Sequence, residues 1–470
     1  MKSQTKTART AAAMILGLFA YRGPAAQSIH IPPHEKFVMK NGLTVLLLEK
    51  HGVPIVSFYA LMKTGATADP QGQEGLAAIT AELLRKGTKA RSAQQFAADL
   101  DFIGGSFESD AEADFSSISA EFLTKDLGHG LDLFADALLH PAFVQAEVDK
   151  ILAQSIDRVR SSKDNPPQVL GEYYKGYLFG ARSYGRPENG DELSLKRIDR
   201  TAIARFYDIN YRPENTVLAV AGEFSAGEMR KKLEEDLGAW AAKTTPSTAV
   251  PAAAPAKGKR LLLVDKPDAT QTYFAIGNVG TTVNDPDRVG IAVVNTVFGG
   301  RFTSLLNEAL RVESGLSYGA SSRFDSQKEP GTFGMYSFTK NETTTQAIDL
   351  SLQVLQKLHK DGITPDQLSS AKSYIKGQYP PSIETSSQLA RLIARNEFYG
   401  LDDREVNELE ARIDAVTPEI ARQIIQKHFP EENLVFVLIG KASAMGSAVT
   451  KYSEKQDTRP VSEPGFWPQK

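Results

Sequence analysis

The sequence predicts an α+β protein of two duplicated domains, each an antiparallel-rich sheet with helices packed on one side. Three observations carry that expectation. Residues 243–259 read KTTPSTAVPAAAPAKGK, with no large apolar side chain; such a segment cannot build a core and tends to extended, semi-stiff chain. It divides the sequence into nearly equal halves. The halves then repeat one another: YRPENTVLAVAG at 211–222 and FPEENLVFVLIG at 429–440 both place an aromatic, Pro, Glu and Asn before an apolar run that ends in Gly. Each is preceded by Arg-Ile-Asp, at 197–199 and 412–414. The stretch IVSFYALMKTGATAD at 55–69 likewise resembles TYFAIGNVGTTVND at 272–285. Finally, strand and helix patterns are mixed without regular alternation, which implies α+β rather than a parallel α/β sheet.

The first residues read as an address. Lys2, Lys6 and Arg9 precede an apolar run at 11–20, and Gly23-Pro24-Ala25-Ala26 offers small residues for cleavage. This three-part pattern predicts a secretory signal peptide over 1–26, too short to span a bilayer. Its removal would take away Lys2, Lys6, Arg9 and Arg22 and leave a more acidic chain. The expected location is the bacterial periplasm or the exterior. No later stretch approaches transmembrane length.

Beyond the signal, 44–48 and 55–62 have strand composition. Leu76, Ile79, Leu83 and Leu84 fall at helical spacing, with Gly87 as a stop. Gly104-Gly105 marks a turn, and 107–122 shows partial alternation, which suggests paired strands. Residues 127–139 and 147–159 read as helices. Gly65-Ala66-Thr67 reads as a turn with no charge set to use it. Asp110, Glu112 and Asp114 read as the solvated face of a strand.

Composition narrows the function. Lys plus Arg is 54 against 57 for Asp plus Glu, so the basic excess that a nucleic-acid binder needs is missing. Cysteine is absent, which removes disulfides, thiolate metal sites and cysteine nucleophiles together. Any histidine-based metal site must come from seven residues. His30 and His34 are four apart, but Ile31-Pro32-Pro33 between them prevents a regular helix. His51, His129, His140, His359 and His428 are scattered and read as surface or packing histidines.

Residues 73–88, QEGLAAITAELLRKGT, resemble the zinc-motif helix of the pitrilysin, insulysin and mitochondrial processing peptidase family, the inverted-zinc-motif metallopeptidases. Active members carry Gly-Leu-Ala-His-x-x-Glu-His ahead of Lys-Gly-Thr. This chain keeps Gly75-Leu76-Ala77 and Lys86-Gly87-Thr88 at the same spacing. The resemblance implies that Ala78 stands at the first His position, Ala81 at the Glu position and Glu82 at the second His position. It places the third ligand, a Glu in the family, at Gln154 or Ser155. The motif is therefore degenerate: an alanine methyl has no lone pair to give a metal, and the general base is missing. No cofactor is expected in this chain.

The second half resembles the family's C-terminal domain over LLNEALRVESGLSYGA at 305–320. There the family carries an Arg and a Tyr seven positions apart, matched by Arg311 and Tyr318. The resemblance implies that Arg311 grips a substrate carbonyl and that Tyr318 donates to the oxyanion formed when that carbonyl is attacked.

A lost zinc site beside a kept Arg/Tyr pair suggests a heterodimer. A homologous zinc-bearing peptidase subunit would supply the metal, and this chain the pair, acting on short peptide substrates. The alternative is a catalytically inactive peptide-binding or scaffold protein of the same fold. The expected organisation is a signal at 1–26, a peptidase-like domain with the degenerate motif at 27–242, a linker at 243–259 and a second peptidase-like domain with the Arg/Tyr pair at 260–470.

Overall fold

The apolar runs that end the two repeats become the most buried strands of two sheets. The structure, a computed structural model, describes residues 30–243 and 254–466. The expected signal at 1–26 and most of the linker lie outside the described residues.

The first half contributes strands β1 (Glu35–Val38), β2 (Thr44–Glu49), β3 (Ile55–Met62), β4 (Ser106–Ala111), β5 (Ser116–Leu123) and β6 (Thr216–Gly222), in the sheet order β1-β2-β6-β3-β5-β4. The second half contributes β7 (Arg260–Asp265), β8 (Gln271–Val279), β9 (Ala320–Asp325), β10 (Thr332–Lys340), β11 (Val435–Gly440) and β12 (Lys455–Pro460), in the order β12-β7-β11-β8-β10-β9. The duplication seen in the sequence is thus a duplication of topology. β6 and β11 hold the same interior place. Each runs parallel to one neighbour (β2 or β7) and antiparallel to the other (β3 or β8). Both are buried along their whole length, which is why their sequences are continuous apolar runs rather than alternating ones. The glycine that ends the first run is required: a Cβ on Gly222 would come within 2.1 Å of the Ile55 carbonyl oxygen. The β4–β5 hairpin accounts for the paired strands expected at 107–122.

Helices of the first half are α1 (Leu76–Leu83), α2 (Ala93–Phe102), α3 (Leu127–Leu139), α4 (Gln145–Ser162), α5 (Pro166–Phe179), α6 (Arg200–Asn210) and α7 (Ala226–Leu237). The second half adds α8 (Arg288–Phe298), α9 (Leu305–Asn307), α10 (Thr344–Asp361), α11 (Pro365–Gln378) and α12 (Ser386–Tyr399), followed by α13 (Arg404–Asn407), α14 (Leu409–Asp414) and α15 (Pro418–His428). None of the described helices is long and apolar enough to cross a membrane.

Each sheet packs its own helices on one face, as expected. The structure adds that the other face is covered by a helix from the opposite half. On α5, the Tyr174 hydroxyl donates to the Phe333 carbonyl at 2.6 Å and the Tyr177 hydroxyl to the Leu261 carbonyl at 3.2 Å. In return α12 lays Leu389, Ala390 and Ile393 against Tyr59, Leu61 and Val217 of the first sheet. The exchanged helices are equivalents in the repeat, each placed between the sheet hairpin and the Arg-Ile-Asp segment.

The acidic run differs from its expectation. Asp110 is exposed, but Asp114 is buried. It accepts from the Tyr184 hydroxyl at 2.7 Å and from the Lys328 N–H of the second half at 2.8 Å. Burial raises its pKa against these bonds.

Candidate functional site

Helix α1 starts at Gly75, whose φ of 93° is left-handed. A Cβ there would meet the Gly190 backbone nitrogen at 2.8 Å. Glycine brings no capping side chain, so the free N–H groups at the helix start need another acceptor. Asp69 supplies it: its two carboxylate oxygens accept from Gly75 N–H and Ala77 N–H, both at 2.8 Å. Burial pushes the Asp69 carboxyl up to about 8, against these two bonds and nearby Arg186. Arg186 ties the same loop down by donating to the Asp69 and Thr67 carbonyls at 2.7 and 2.9 Å. The turn at 65–67 therefore does have a charge in use, Arg186 from far along the chain. Asp69 lies six positions before the helix-start Gly, outside the reach of any N-cap pattern in the sequence.

On α1, Ala81 is fully buried and Ala78 packs partly buried against the core. Glu82 is half-buried and faces Arg158 of α4, with Nη2 3.8 Å from its Oε1. Of the two positions left open for the third ligand, Gln154 is exposed and Ser155 is buried. The Ser155 Oγ has no hydrogen-bond partner among the described residues. Two methyl groups, one carboxylate paired to a guanidinium and one neutral hydroxyl do not fit a zinc ion, which takes four N, S or O donors with imidazole, thiolate or carboxylate character.

A different cluster was missed in the sequence. Asp285, Asp287 and His428 bring potential ligand atoms within 4.8 Å of one another. Asp287 is already engaged by Lys427 at 2.6 Å and by His428 at 2.9 Å, and Asp285 accepts from the Thr281 hydroxyl. The protein supplies its own cation there.

Arg311 and Tyr318 are brought together. Arg311 lies on a π-helical turn, Glu308–Glu313, that continues α9; such turns recur at functional sites. The chain then reverses at Gly315 and enters β9 through a pinned loop. Asn307 accepts from Ala320 N–H at 3.1 Å, and the Thr339 hydroxyl donates to the Leu316 carbonyl at 2.6 Å. The result places the Arg311 guanidinium 4.2 Å from the centre of the Tyr318 ring and 4.7 Å from that of Phe302. Tyr318 is 74% exposed and Phe302 61%. Among the described residues, neither the Arg311 guanidinium nor the Tyr318 hydroxyl has a hydrogen-bond or ion-pair partner. Arg311 also lines a cavity of about 570 Å³ between the β9 edge of the second sheet and the start of α5. Among the described residues, no hydrogen bond, ion pair or ring contact joins this pair to Ala78, Ala81 or Glu82.

Two family profiles match the sequence. "Insulinase (Peptidase family M16)" covers residues 44–187 and "Peptidase M16 inactive domain" covers residues 197–375. This chain belongs to peptidase family M16. The first M16 match contains α1, and the second contains Arg311 and Tyr318. An uncharacterized zinc protease of Bacillus subtilis is 24% identical over 399 residues, 85% of this chain and 96% of that protein. One of Mycobacterium leprae is 26% identical over 397 residues, 83% of this chain and 89% of that protein. Among solved structures, a peptidase M16 inactive domain from Pseudomonas fluorescens superposes with a TM-score of 0.82 at 22% identity, over 87% of this chain and 98% of that one. A protease from Helicobacter pylori gives 0.79 at 19% identity, over 87% and 100%. These two likenesses establish the M16 fold.

Proposed function

We propose that this chain is the non-zinc subunit of a heterodimeric M16 metallopeptidase that degrades short peptides. A homologous partner subunit would hold the zinc. This chain would contribute Arg311, which grips a substrate carbonyl, and Tyr318, whose hydroxyl donates to the oxyanion that develops on the scissile carbonyl while keeping its own proton. The organisation is that read from the sequence, 27–242 and 260–470 joined at 243–259, with export to the periplasm after loss of 1–26. N-terminal sequencing of the native protein tests the export: an intact Met1 in a cytoplasmic fraction overturns it.

One observation carries the proposal. The Arg311–Tyr318 pair is stacked and outward-facing, with hydrogen-bonding groups unused among the described residues, while α1 of the same chain lacks the donors to hold a zinc ion. A purely structural Arg would be expected to pair with a carboxylate, as Arg91 does with Asp99, Asp132 and Asp136. The test is reconstitution. This chain, mixed with an intact-motif M16 subunit from the same organism, should co-elute with it and restore peptide cleavage that neither shows alone. Co-elution without cleavage would favour the peptide-binding or scaffold protein instead.

A further inference from the structure

The cavity beside Arg311 has a one-sided charge. Its charged lining residues are Arg301, Arg311 and Arg323, and no Asp or Glu lines it among the described residues. Among the described residues, Arg301 and Arg311 have no carboxylate within ion-pair distance, and Arg323 has one, Asp325, which does not line the cavity. Arg301 donates to the Ser370 hydroxyl at 2.9 Å, and its buried Nε has no hydrogen-bond partner among the described residues. Arg323 lies flat over the Tyr336 ring at 4.1 Å, with Asp325 at 3.7 Å, beyond hydrogen-bond length. The rest of the wall is largely apolar, including Leu170 of α5 and Phe302.

The duplication provides an internal comparison. At the equivalent place in the first half, between the β4 edge and the start of α12, lies a cavity of about 520 Å³. Its charged lining residues are Lys50 and Arg391 against Glu108, Glu121 and Glu384. The same architecture is therefore mixed and slightly acidic in one half and purely basic in the other. Packing of a swapped helix over a sheet edge does not by itself demand three arginines.

We infer that the cavity of the second half is a subsite for a peptide carboxylate, held by Arg301 and Arg323 next to an apolar side chain on the Leu170 and Phe302 wall. The inference rests on the proposal that Arg311 and Tyr318 meet a peptide, and it adds which peptides. Guanidinium forks match carboxylates in shape and charge, and they bind them more strongly where apolar walls limit water. The volume is within the roughly 300–1,000 Å³ usual for small-ligand sites. The carboxylate could belong to an acidic side chain or to a peptide C-terminus; the chemistry of recognition is the same.

The experiment uses the full chain alone, without a partner subunit, and reads binding of fluorescent peptides by anisotropy. Four peptides of otherwise identical sequence carry Glu or Gln at one internal position, each with a free or an amidated C-terminus. At least one carboxylate should tighten binding about tenfold, the size expected for charge-assisted hydrogen bonds. Arg323→Gln should abolish the advantage and Arg323→Lys should restore part of it, at unchanged thermal melting. An effect of Glu alone assigns the side chain, and an effect of the free terminus alone assigns the C-terminus. Charge-blind binding, no binding, or an advantage that survives in Arg323→Gln and Arg301→Gln overturns the inference. So does equal weakening of all four peptides by inorganic phosphate with no discrimination among them, the mark of a general anion site. Tyr318→Phe separates this from the catalytic proposal: it should leave the discrimination intact even where it abolishes turnover in the heterodimer.

Discussion

The guanidinium of Arg311 and the ring of Tyr318 stack at 4.2 Å, although seven positions and a glycine turn separate them in the chain. The stack holds the side chains of both residues in place. Tyr318→Phe removes one hydroxyl and keeps the ring, so the stack and the fold should survive. In the reconstituted heterodimer kcat should fall about 10²–10³-fold, the loss typical of an oxyanion donor, with KM less affected. Arg311→Ala should raise KM and lower kcat together, because it removes a grip used before and during reaction. A kcat for Tyr318→Phe within about threefold of wild type would remove the catalytic role.

The region around α1 should be blind to metal. Purified alone and dialysed, the chain should carry no stoichiometric zinc by elemental analysis. Glu82→Ala should leave that background unchanged. The Glu82–Arg158 contact is 3.8 Å long and Arg158 is exposed, so its loss should cost no more than about 1 kcal/mol in urea unfolding. Near one zinc per chain, lost in Glu82→Ala, would overturn the reading of α1.

The exchanged helices should make the two halves unfold together. Tyr174→Phe removes the hydroxyl that donates from α5 to the Phe333 carbonyl of the second sheet. It should destabilise by about 1–3 kcal/mol, since a buried carbonyl loses a partner. Fluorescence and circular dichroism should still report one transition. Two separated transitions in the wild type would show that the exchange does not couple the halves.

Asp69 gives a pH dependence of defined sign. Its carboxyl titrates at about 8 in the folded protein because it is buried, against about 3.9 in an unfolded chain. Between these values the folded state holds a proton that the unfolded state has released. This group's contribution therefore falls as pH rises through that window and is lost above the folded pKa. Asp69→Asn cannot titrate. The stability advantage of wild type over Asp69→Asn should shrink between about pH 5 and pH 8, measured by urea unfolding. An advantage that grows over this range would mean the carboxylate is charged in the folded state.

The sequence by itself determined the duplication, the interior strands and the degenerate zinc motif. β6 and β11 are legible because a strand buried on both faces has no polar alternation to hide. The erased motif is legible because ligand chemistry belongs to residue type: alanines at 78 and 81 cannot bind zinc in any fold. Arg311 and Tyr318 are singled out only by their resemblance to the family's Arg/Tyr pattern, since neither composition nor periodicity marks an exposed Arg and Tyr. The tertiary structure decided what depends on residues distant in the chain. A helix pattern specifies an apolar face but not which sheet it covers, so the exchange of α5 and α12 was unreadable. An acidic residue looks the same solvated or buried, so only the fold distinguished Asp110 from Asp114, and only the fold made Asp69 the cap of α1. The basic cavity is the clearest case. Arg301, Arg311 and Arg323 lie on separate segments of a near-neutral chain, and their charges add up in one place only after β9, α9 and the opposite half's α5 have packed around it.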